Sequence, residues 1–116
     1  MAKNLLTKYL QEINVNVDVL LFKEEEIWVS YCPALNLSSY GDDEEDAKQA
    51  FGEVLSIFIE ETTKKRTLDK ELLKLGWQLQ QQPTLIFDQP KMVVDKKLIN
   101  KKIETYKEQF AVPVYA

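Results

Sequence analysis

Apolar and polar residues alternate in the first third of the chain in a way that predicts a β-hairpin. From Asn14 to Leu21, the apolar residues Val15, Val17, Val19 and Leu21 occupy every second position, and the polar residues Asn14, Asn16 and Asp18 alternate with them. A period of two is typical of a strand with one buried face. The charged stretch Lys23–Glu26 separates this strand from a second alternating segment, Ile27–Tyr31. We therefore predict that the two segments pair as an antiparallel hairpin.

The residues after the hairpin predict a short third strand and then a sharp turn. Pro33 ends the second strand, because a proline has no backbone N–H to donate to a neighbouring strand. The segment Leu35–Tyr40 is long enough for a third strand. Gly41 then supplies the permissive backbone that a turn from a strand into a helix needs.

Five consecutive acidic residues, Asp42–Asp46, introduce the longest helix that the pattern predicts. Asp42 or Asp43 is suited to cap this helix, with another acid three residues further on, as in a capping box. All five acids would lie at the positive end of the helix dipole. Apolar residues then recur at helical spacing and predict one buried face over residues 43–62: Ala47, Ala50, Phe51, Val54, Leu55, Phe58 and Ile59.

The chain after this helix predicts shorter elements. Thr67 is suited to cap a short second helix, which Gly76 ends. Short strands are predicted at residues 77–79 and 84–87, on either side of a glutamine-rich loop.

Both ends of the chain carry apolar residues at helical spacing. Residues 94–109 predict a third helix, with one face formed by Leu98, Ile99, Ile103 and Tyr106. Residues 4–11 show the same spacing, but the segment is too short for a stable helix. Residues 110–115 are expected to be extended, and Pro113 makes them an edge strand or an arm.

Together these elements predict a single α+β domain. An antiparallel three-stranded sheet is expected to be packed by one long amphipathic helix, in the order β-β-β-α, with a helical and extended C-terminal region. Residues 1–79 would form the main unit. Residues 80–116 would either belong to the same unit or act as an oligomerisation element.

Composition narrows the possible functions. The 116 residues include no histidine and one cysteine, Cys32. This removes the usual general base at neutral pH, the commonest transition-metal ligand and any intrachain disulfide. The longest apolar runs are only a few residues and the start of the chain does not resemble a signal peptide. We therefore expect a cytoplasmic protein that does not span a membrane.

Charge is unevenly distributed along the chain. Residues 1–60 contain four lysines and twelve acidic residues, a net charge of −8. Residues 61–116 contain eleven basic and seven acidic residues, a net charge of +4. The acidic part would repel nucleic acid and favour a basic protein partner.

Three features invite a chemical role, and each has a simpler explanation. Asp18 lies on the first strand, but two-metal hydrolysis needs several converging carboxylates, and its neighbours on that face are asparagines. The acids at Asp42–Asp46 lack the spacing and central glycine of a calcium loop. Cys32 has no histidine to activate it. We therefore predict no catalytic residue, no cofactor and no metal site.

Aromatic residues on the predicted sheet are the candidates for partner binding. Trp28 lies on the face opposite Ile27, so it either packs on the far side of the sheet or marks an interface. Tyr31 and Tyr40 are grouped with Trp28 as partner-binding candidates. Exposed aromatic rings suit protein interfaces because they bury a large area at low entropic cost.

The extended C-terminal arm is the candidate for oligomerisation. Phe110, Val112 and Val114 could add to the sheet edge of a neighbouring copy, which favours a homo-dimer or higher homo-oligomer. Alternatively, the arm could fold back on its own sheet. We favour the first arrangement.

The order of these motifs resembles that of HicB-like antitoxin domains, over residues 14–77. The family pattern is a strand ending in an aromatic residue, Pro-acid-Leu-Pro-Gly, a short strand, and then Gly-Asp-Thr, two or three acids and alanine. The residues that match it are Pro33, Leu35, Gly41, Asp42, Glu45 and Ala47. Those that depart from it are Ala34, Asn36, Leu37 and Asp43.

The resemblance implies a partial ribonuclease-H-like fold without nuclease activity, and binding of a small HicA-like ribonuclease toxin. Members of the family often also repress their own operon through a C-terminal ribbon-helix-helix or helix-turn-helix module. Residues 78–116 show no complete helix-turn-helix signature, which argues against DNA binding.

We therefore expect a non-enzymatic HicB-like antitoxin, or a stand-alone relative, that neutralises a small basic toxin by covering it. Two rival functions stay open. One is a homo-oligomeric accessory or ligand-binding domain without a toxin. The other is a transcriptional regulator that presents a group of lysines to DNA: Lys96, Lys97, Lys101 and Lys102.

Overall fold

The structure is a computed structural model that describes residues 9–80, 86–90 and 102–115. In chain order, these residues form strands β1 (Tyr9–Glu24), β2 (Ile27–Cys32) and β3 (Leu37–Gly41), helices α1 (Glu44–Lys64) and α2 (Leu68–Lys74), and strands β4 (Gln78–Gln80), β5 (Ile86–Asp88) and β6 (Glu104–Tyr115). The α+β class expected from the sequence is confirmed.

The main sheet is antiparallel, as expected, but it has four strands rather than three. Its strand order is β3-β2-β1-β6. The long strand β1 holds the sheet together, because its last residues pair with β2 while positions from Tyr9 to Leu21 pair with β6. β4 and β5 form a separate two-stranded sheet. These two strands match the short ones expected near residues 77–79 and 84–87, although residues 84 and 85 lie outside the described part.

The helix expected over residues 94–109 is wrong for residues 104–109, which belong to β6. Ile103 and Tyr106 are three positions apart and so imitate helical spacing. Pairing with β1 decides in favour of the strand, because it bonds the backbone groups along one edge of β6 and buries Phe110 and Val112. Residues 94–101 lie outside the described part. Residues 9–11, where the spacing is also helical, belong to β1; residues 4–8 lie outside the described part.

Helix α1 confirms the expected long helix to within two residues at each end. Asp43 is its N-cap: the Oδ1 atom of Asp43 accepts a hydrogen bond from the backbone N–H of Asp46 at 2.8 Å. At the other end, Arg66 adopts a left-handed backbone with φ of 56°. The N–H groups of Arg66 and Thr67 bond to the carbonyls of Thr63 and Thr62, which is the Schellman pattern for ending a helix.

Helix α2 begins and ends near the expected residues, but its start is built differently. The hydroxyl of Thr67 does not cap the helix; it donates to the carbonyl oxygen of Thr62 instead. Gly76, with φ of 98°, ends α2 in a second Schellman pattern, completed by the bond from the Trp77 N–H to the Leu72 carbonyl. This turn sends Trp77 into the core, where it is almost completely buried.

The main hydrophobic core lies between the sheet and the two helices. Alternate residues of β1, including Val15, Val17 and Val19, pack there with Phe51 and Leu55 of α1. A smaller apolar cluster lies on the opposite face of the sheet and contains Leu20, Phe22 and Val29, packed by Tyr31 and Ile103. We call the first side the helix face and the second the outer face. Both faces of the sheet therefore carry buried apolar residues where β1 meets β2.

Candidate functional site

The strand register separates the three aromatic candidates for partner binding. Trp28 pairs with Lys23 and therefore shares the helix face with Val19. Tyr31 pairs with Leu20, and Tyr40 pairs with Val29, so both tyrosines belong to the outer face. The three residues do not form a common surface.

Trp28 lies in a small cleft rather than on an open surface. It is partly buried between the start of α1 and the start of β6. The cleft has a volume of about 320 Å³, and its other lining residues are Lys23, Glu44, Lys102 and Glu104. Lys102 is the one described member of the four lysines considered for DNA binding, and it lies beside two glutamates rather than in a basic patch.

The two tyrosines differ in exposure. Tyr31 is partly buried and packs on the outer-face cluster. Tyr40 is 63% exposed. Of the three aromatic candidates, Tyr40 is therefore the one whose ring is mainly in contact with solvent.

Tyr40 lies beside a groove of about 510 Å³ between β3 and α1. We call this the acidic groove; its lining residues are Ile27, Tyr40, Gly41, Asp42, Asp46, Gln49, Ala50 and Glu53. Ile27 is 48% exposed, so two large apolar side chains meet solvent here. Side chains from two strands and one helix face are thus brought together by the turn at Gly41.

Gly41 holds the two walls of the acidic groove together. A Cβ atom at this position would lie 2.3 Å from the backbone nitrogen of Ala47 and 2.6 Å from Asp46. Such distances are far below ordinary contact, so only glycine allows β3 to approach the first turn of α1 this closely. A glycine was expected at this strand-to-helix turn, and the close approach of β3 and α1 is the reason why it is needed.

The charge in the acidic groove is of one sign. Among the residues that the structure describes, its lining includes three carboxylates, from Asp42, Asp46 and Glu53, and no lysine or arginine. None of the three carboxylates forms an ion pair within the described part of the chain. The groove therefore combines negative potential with exposed apolar surface, a combination that suits a basic protein segment.

The C-terminal arm takes the second of its two expected arrangements, because it folds back on its own sheet. Phe110 pairs with Val15 and Val112 pairs with Ile13, and both are buried in the chain's own core. Val114 pairs with Gln11. A role for the arm in oligomerisation stays a prediction.

A wider cleft of about 1230 Å³ runs between α1 and β6. Its apolar lining comes from Leu55, Ile57 and Ile59 on the helix and from Phe110 and Ala111 on the strand. Ile57 is 61% exposed. This cleft is a second surface on which another molecule could bury apolar area.

Two residues considered for chemical roles, Cys32 and Asp18, are respectively buried and ion-paired. Cys32 is completely buried, and burial raises the pKa of its thiol to about 11, so the reactive thiolate is scarce at neutral pH. Asp18 lies opposite Lys107 on β6, with 2.6 Å between Oδ1 and Nζ. Within residues 9–80, 86–90 and 102–115, no group of three metal-binding side chains is found.

Tyr40 was among the residues singled out from the sequence, but its neighbours in the acidic groove were not. Ile27 was assigned to a strand, and Asp46 to helix capping. Glu53 follows Asp46 by seven positions, which places both on one side of a helix. That spacing was visible in the sequence. The sequence did not show that the side of α1 carrying Asp46 and Glu53 lies next to β3.

Comparisons with known proteins add no relatives. No family model, no curated protein and no solved structure matches the chain. The resemblance to HicB-like domains therefore stays a prediction carried by the motif order. In the described part of the chain, no helix is long and apolar enough to cross a membrane.

Proposed function

We propose that the protein is a non-enzymatic binding module of the HicB-like antitoxin type, which covers a small basic ribonuclease toxin. The observation that carries the proposal is the acidic groove, where exposed Tyr40 and Ile27 lie beside three carboxylates that form no ion pair with any described residue. This surface offers both the apolar area and the charge that a basic protein partner needs.

The two kinds of side chain contribute in different ways. Tyr40 and Ile27 would supply most of the affinity, since a few large apolar residues dominate most interfaces. The carboxylates of Asp42, Asp46 and Glu53 would speed association and select basic partners over acidic ones. No bond is made or broken, because the toxin would be neutralised by covering its catalytic surface.

The proposal is tested by capturing the partner and measuring its activity. Tagged protein is incubated with lysate from its native source, and bound proteins are identified by mass spectrometry. We expect a small basic ribonuclease that is recovered at a stoichiometric ratio and inhibited by addition of the purified chain. Tyr40→Ala is expected to weaken that inhibition about tenfold or more, as for a truncated interface anchor.

A matched control separates binding from folding. Leu73 on α2 is also a large apolar residue, 51% exposed, and it lies outside the acidic groove. Leu73→Ala is expected to leave toxin inhibition unchanged. Equal inhibition by wild type and Tyr40→Ala would contradict the groove as the docking site. A captured partner without ribonuclease activity would contradict the antitoxin function.

A second candidate function is a homo-oligomeric module without a toxin. The cleft between α1 and β6 favours it, because Ile57 exposes apolar surface there. Light scattering after size exclusion should then report a stable oligomer for the wild type. Ile57→Lys should return the chain to a monomer, whereas a monomeric wild type at high protein concentration would contradict this candidate.

A further inference from the structure

Strand β3 lies at one edge of the four-stranded sheet and is paired with β2. Five successive residue pairs join it to β2, from Trp28 and Gly41 to Cys32 and Leu37. In the described part of the chain, β3 pairs with no other strand. In an antiparallel edge strand, every second residue points its N–H and C=O away from its neighbour. The edge of β3 that faces away from β2, which we call the free edge, therefore presents backbone donors and acceptors that no strand of the described part pairs.

The free edge of β3 lacks three common protections of an edge strand. Natural edge strands are commonly blunted by lysine, proline or a bulge. β3 has the sequence Leu-Ser-Ser-Tyr-Gly, with no charged residue and no proline, and its pairing with β2 has no register shift. The other edge strand, β6, carries both Lys107 and Pro113. Of the two edges, β3 is the one suited to accept another strand.

The acidic groove lies at the Gly41 end of β3, where Tyr40 and Gly41 of the strand line it together with Asp46 and Glu53 of α1. Helix α1 packs against β3. Asp46 and Glu53 are seven residues apart on α1, which corresponds to about 10 Å along a helix. An extended chain covers that distance in about three residues. Basic side chains on one face of an added strand would therefore meet both carboxylates, while apolar side chains on its other face would meet Tyr40.

We infer that the partner supplies an extended basic segment, which adds to the free edge of β3 as a fifth strand of the sheet. Backbone hydrogen bonds provide affinity without regard to sequence. The groove selects two basic residues that are two or four positions apart and so lie on the same face of the added strand. This inference rests on the proposed function, because it specifies how the partner uses the same groove.

The first test uses peptides whose backbones differ. The probe is a capped ten-residue peptide that alternates lysine with valine or threonine, added to the isotope-labelled full chain. We expect alternate amide hydrogens of β3, which exchange rapidly in the free protein, to become protected when the peptide binds. The same peptide with N-methyl groups at alternate residues should bind at least about tenfold more weakly, because it cannot form strand hydrogen bonds.

The second test uses a matched pair of charge reversals. Asp46 and Glu45 both lie in the first turn of α1, so Asp46→Lys and Glu45→Lys disturb the helix dipole alike. Only Asp46 lines the acidic groove. Asp46→Lys should weaken binding of the lysine peptide about tenfold at low salt, and Glu45→Lys less than about twofold.

The outcomes separate the inference from the proposed function. If the N-methylated peptide binds as tightly as its parent, or if the amides of β3 stay unprotected, strand addition is refuted while docking in the groove stands. Absence of peptide binding at millimolar concentration also refutes strand addition. Failure to capture an inhibited ribonuclease is the separate result that refutes the antitoxin proposal.

Discussion

The two ends of β3 belong to one continuous stretch of sequence, but one end is buried by distant residues and the other faces solvent. We call them the closed end and the open end. At the closed end, the turn from β2 is buried through Ala34 and Leu35, and the indole N–H of Trp77 donates to the Ala34 carbonyl at 2.9 Å. The ring of Trp77 also packs edge-on against Phe110, with 6.4 Å between centroids. At the open end, Tyr40 and its neighbouring carboxylates face solvent.

This difference separates structural residues from candidate functional ones. The Pro-Ala-Leu motif at residues 33–35 lies at the closed end, where Ala34 and Leu35 are buried and Trp77 bonds to the Ala34 carbonyl, so we expect this motif to stabilise the fold. The open end leaves an aromatic ring, carboxylates and a strand edge without partners from the described chain. One short segment can thus contribute buried residues that stabilise the fold at one end and a candidate binding surface at the other.

Removing the anchor at the closed end should have the largest effect on stability. Trp77→Ala is expected to lower the free energy of unfolding by about 3–5 kcal/mol, as for other buried aromatic residues. Trp77→Phe should cost about 1–3 kcal/mol, since the buried carbonyl of Ala34 loses its donor. Urea denaturation measures both changes.

The matched variant at the open end is Tyr40→Ala. Because Tyr40 is mainly exposed, the change in its unfolding free energy should stay within about 0.5 kcal/mol. If Tyr40→Ala destabilises the chain as much as Trp77→Phe does, the contrast between the two ends is wrong.

A methyl group at the open end tests the close approach of β3 and α1. Gly41→Ala would place its Cβ against the backbone of Ala47, so we expect a loss of about 2–3 kcal/mol from overpacking. Gly52→Ala is the control, because nothing lies within 4 Å of a Cβ there. It should stabilise α1 by about 1 kcal/mol. Equal effects of the two substitutions in thermal denaturation would contradict the close contact.

The buried thiol of Cys32 makes the closed end sensitive to alkaline pH. Burial raises its pKa from 9.0 to about 11, so the thiol contributes its full stability below pH 9 and loses it as pH rises towards 11. Between pH 8 and pH 10.5 this amounts to a loss of about 2 kcal/mol. Burial also raises the pKa of Tyr106, which acts in the same direction.

The contribution of Cys32 is isolated by comparing the wild type with Cys32→Ala. The variant should lose less stability over the same pH interval, because one of the two buried acids is gone. A parallel pH dependence of the two proteins in urea denaturation would show that the thiol is not desolvated. Thiol-specific reagents at pH 7.5 should likewise label Cys32 only after unfolding.

Elements that depend on neighbouring residues were predictable. The limits of α1 followed from apolar spacing and from the acids at its start, and Asp43 was one of two expected caps. The hairpin of β1 and β2 followed from the alternation on both sides of a charged turn. In each case the deciding interactions span a few residues of sequence, so the local pattern contains them.

The remaining structure depends on contacts between distant residues. Residues 104–109 of β6 were mistaken for part of a helix because their partner strand, β1, lies about ninety positions earlier in the chain, whereas residues 110–115 were expected to be extended. The sequence did not decide whether Trp28 packs against the sheet or marks an interface, for a related reason. A shift of one residue in the strand register moves a side chain to the other face of the sheet. The acidic groove needed both the register and the approach of α1, so only Tyr40 could be singled out beforehand.

By itself, the sequence determined the α+β class, the amphipathic helix, the absence of histidine and the acidic character of residues 1–60. The tertiary structure decided that Trp77 anchors the turn after β2, that β6 completes the sheet, and that Tyr40 meets Asp46 and Glu53 beside a free edge. The physical reason is that composition and periodicity are local, whereas strand register and the packing of a helix at a sheet edge are settled by burial between residues far apart in the chain.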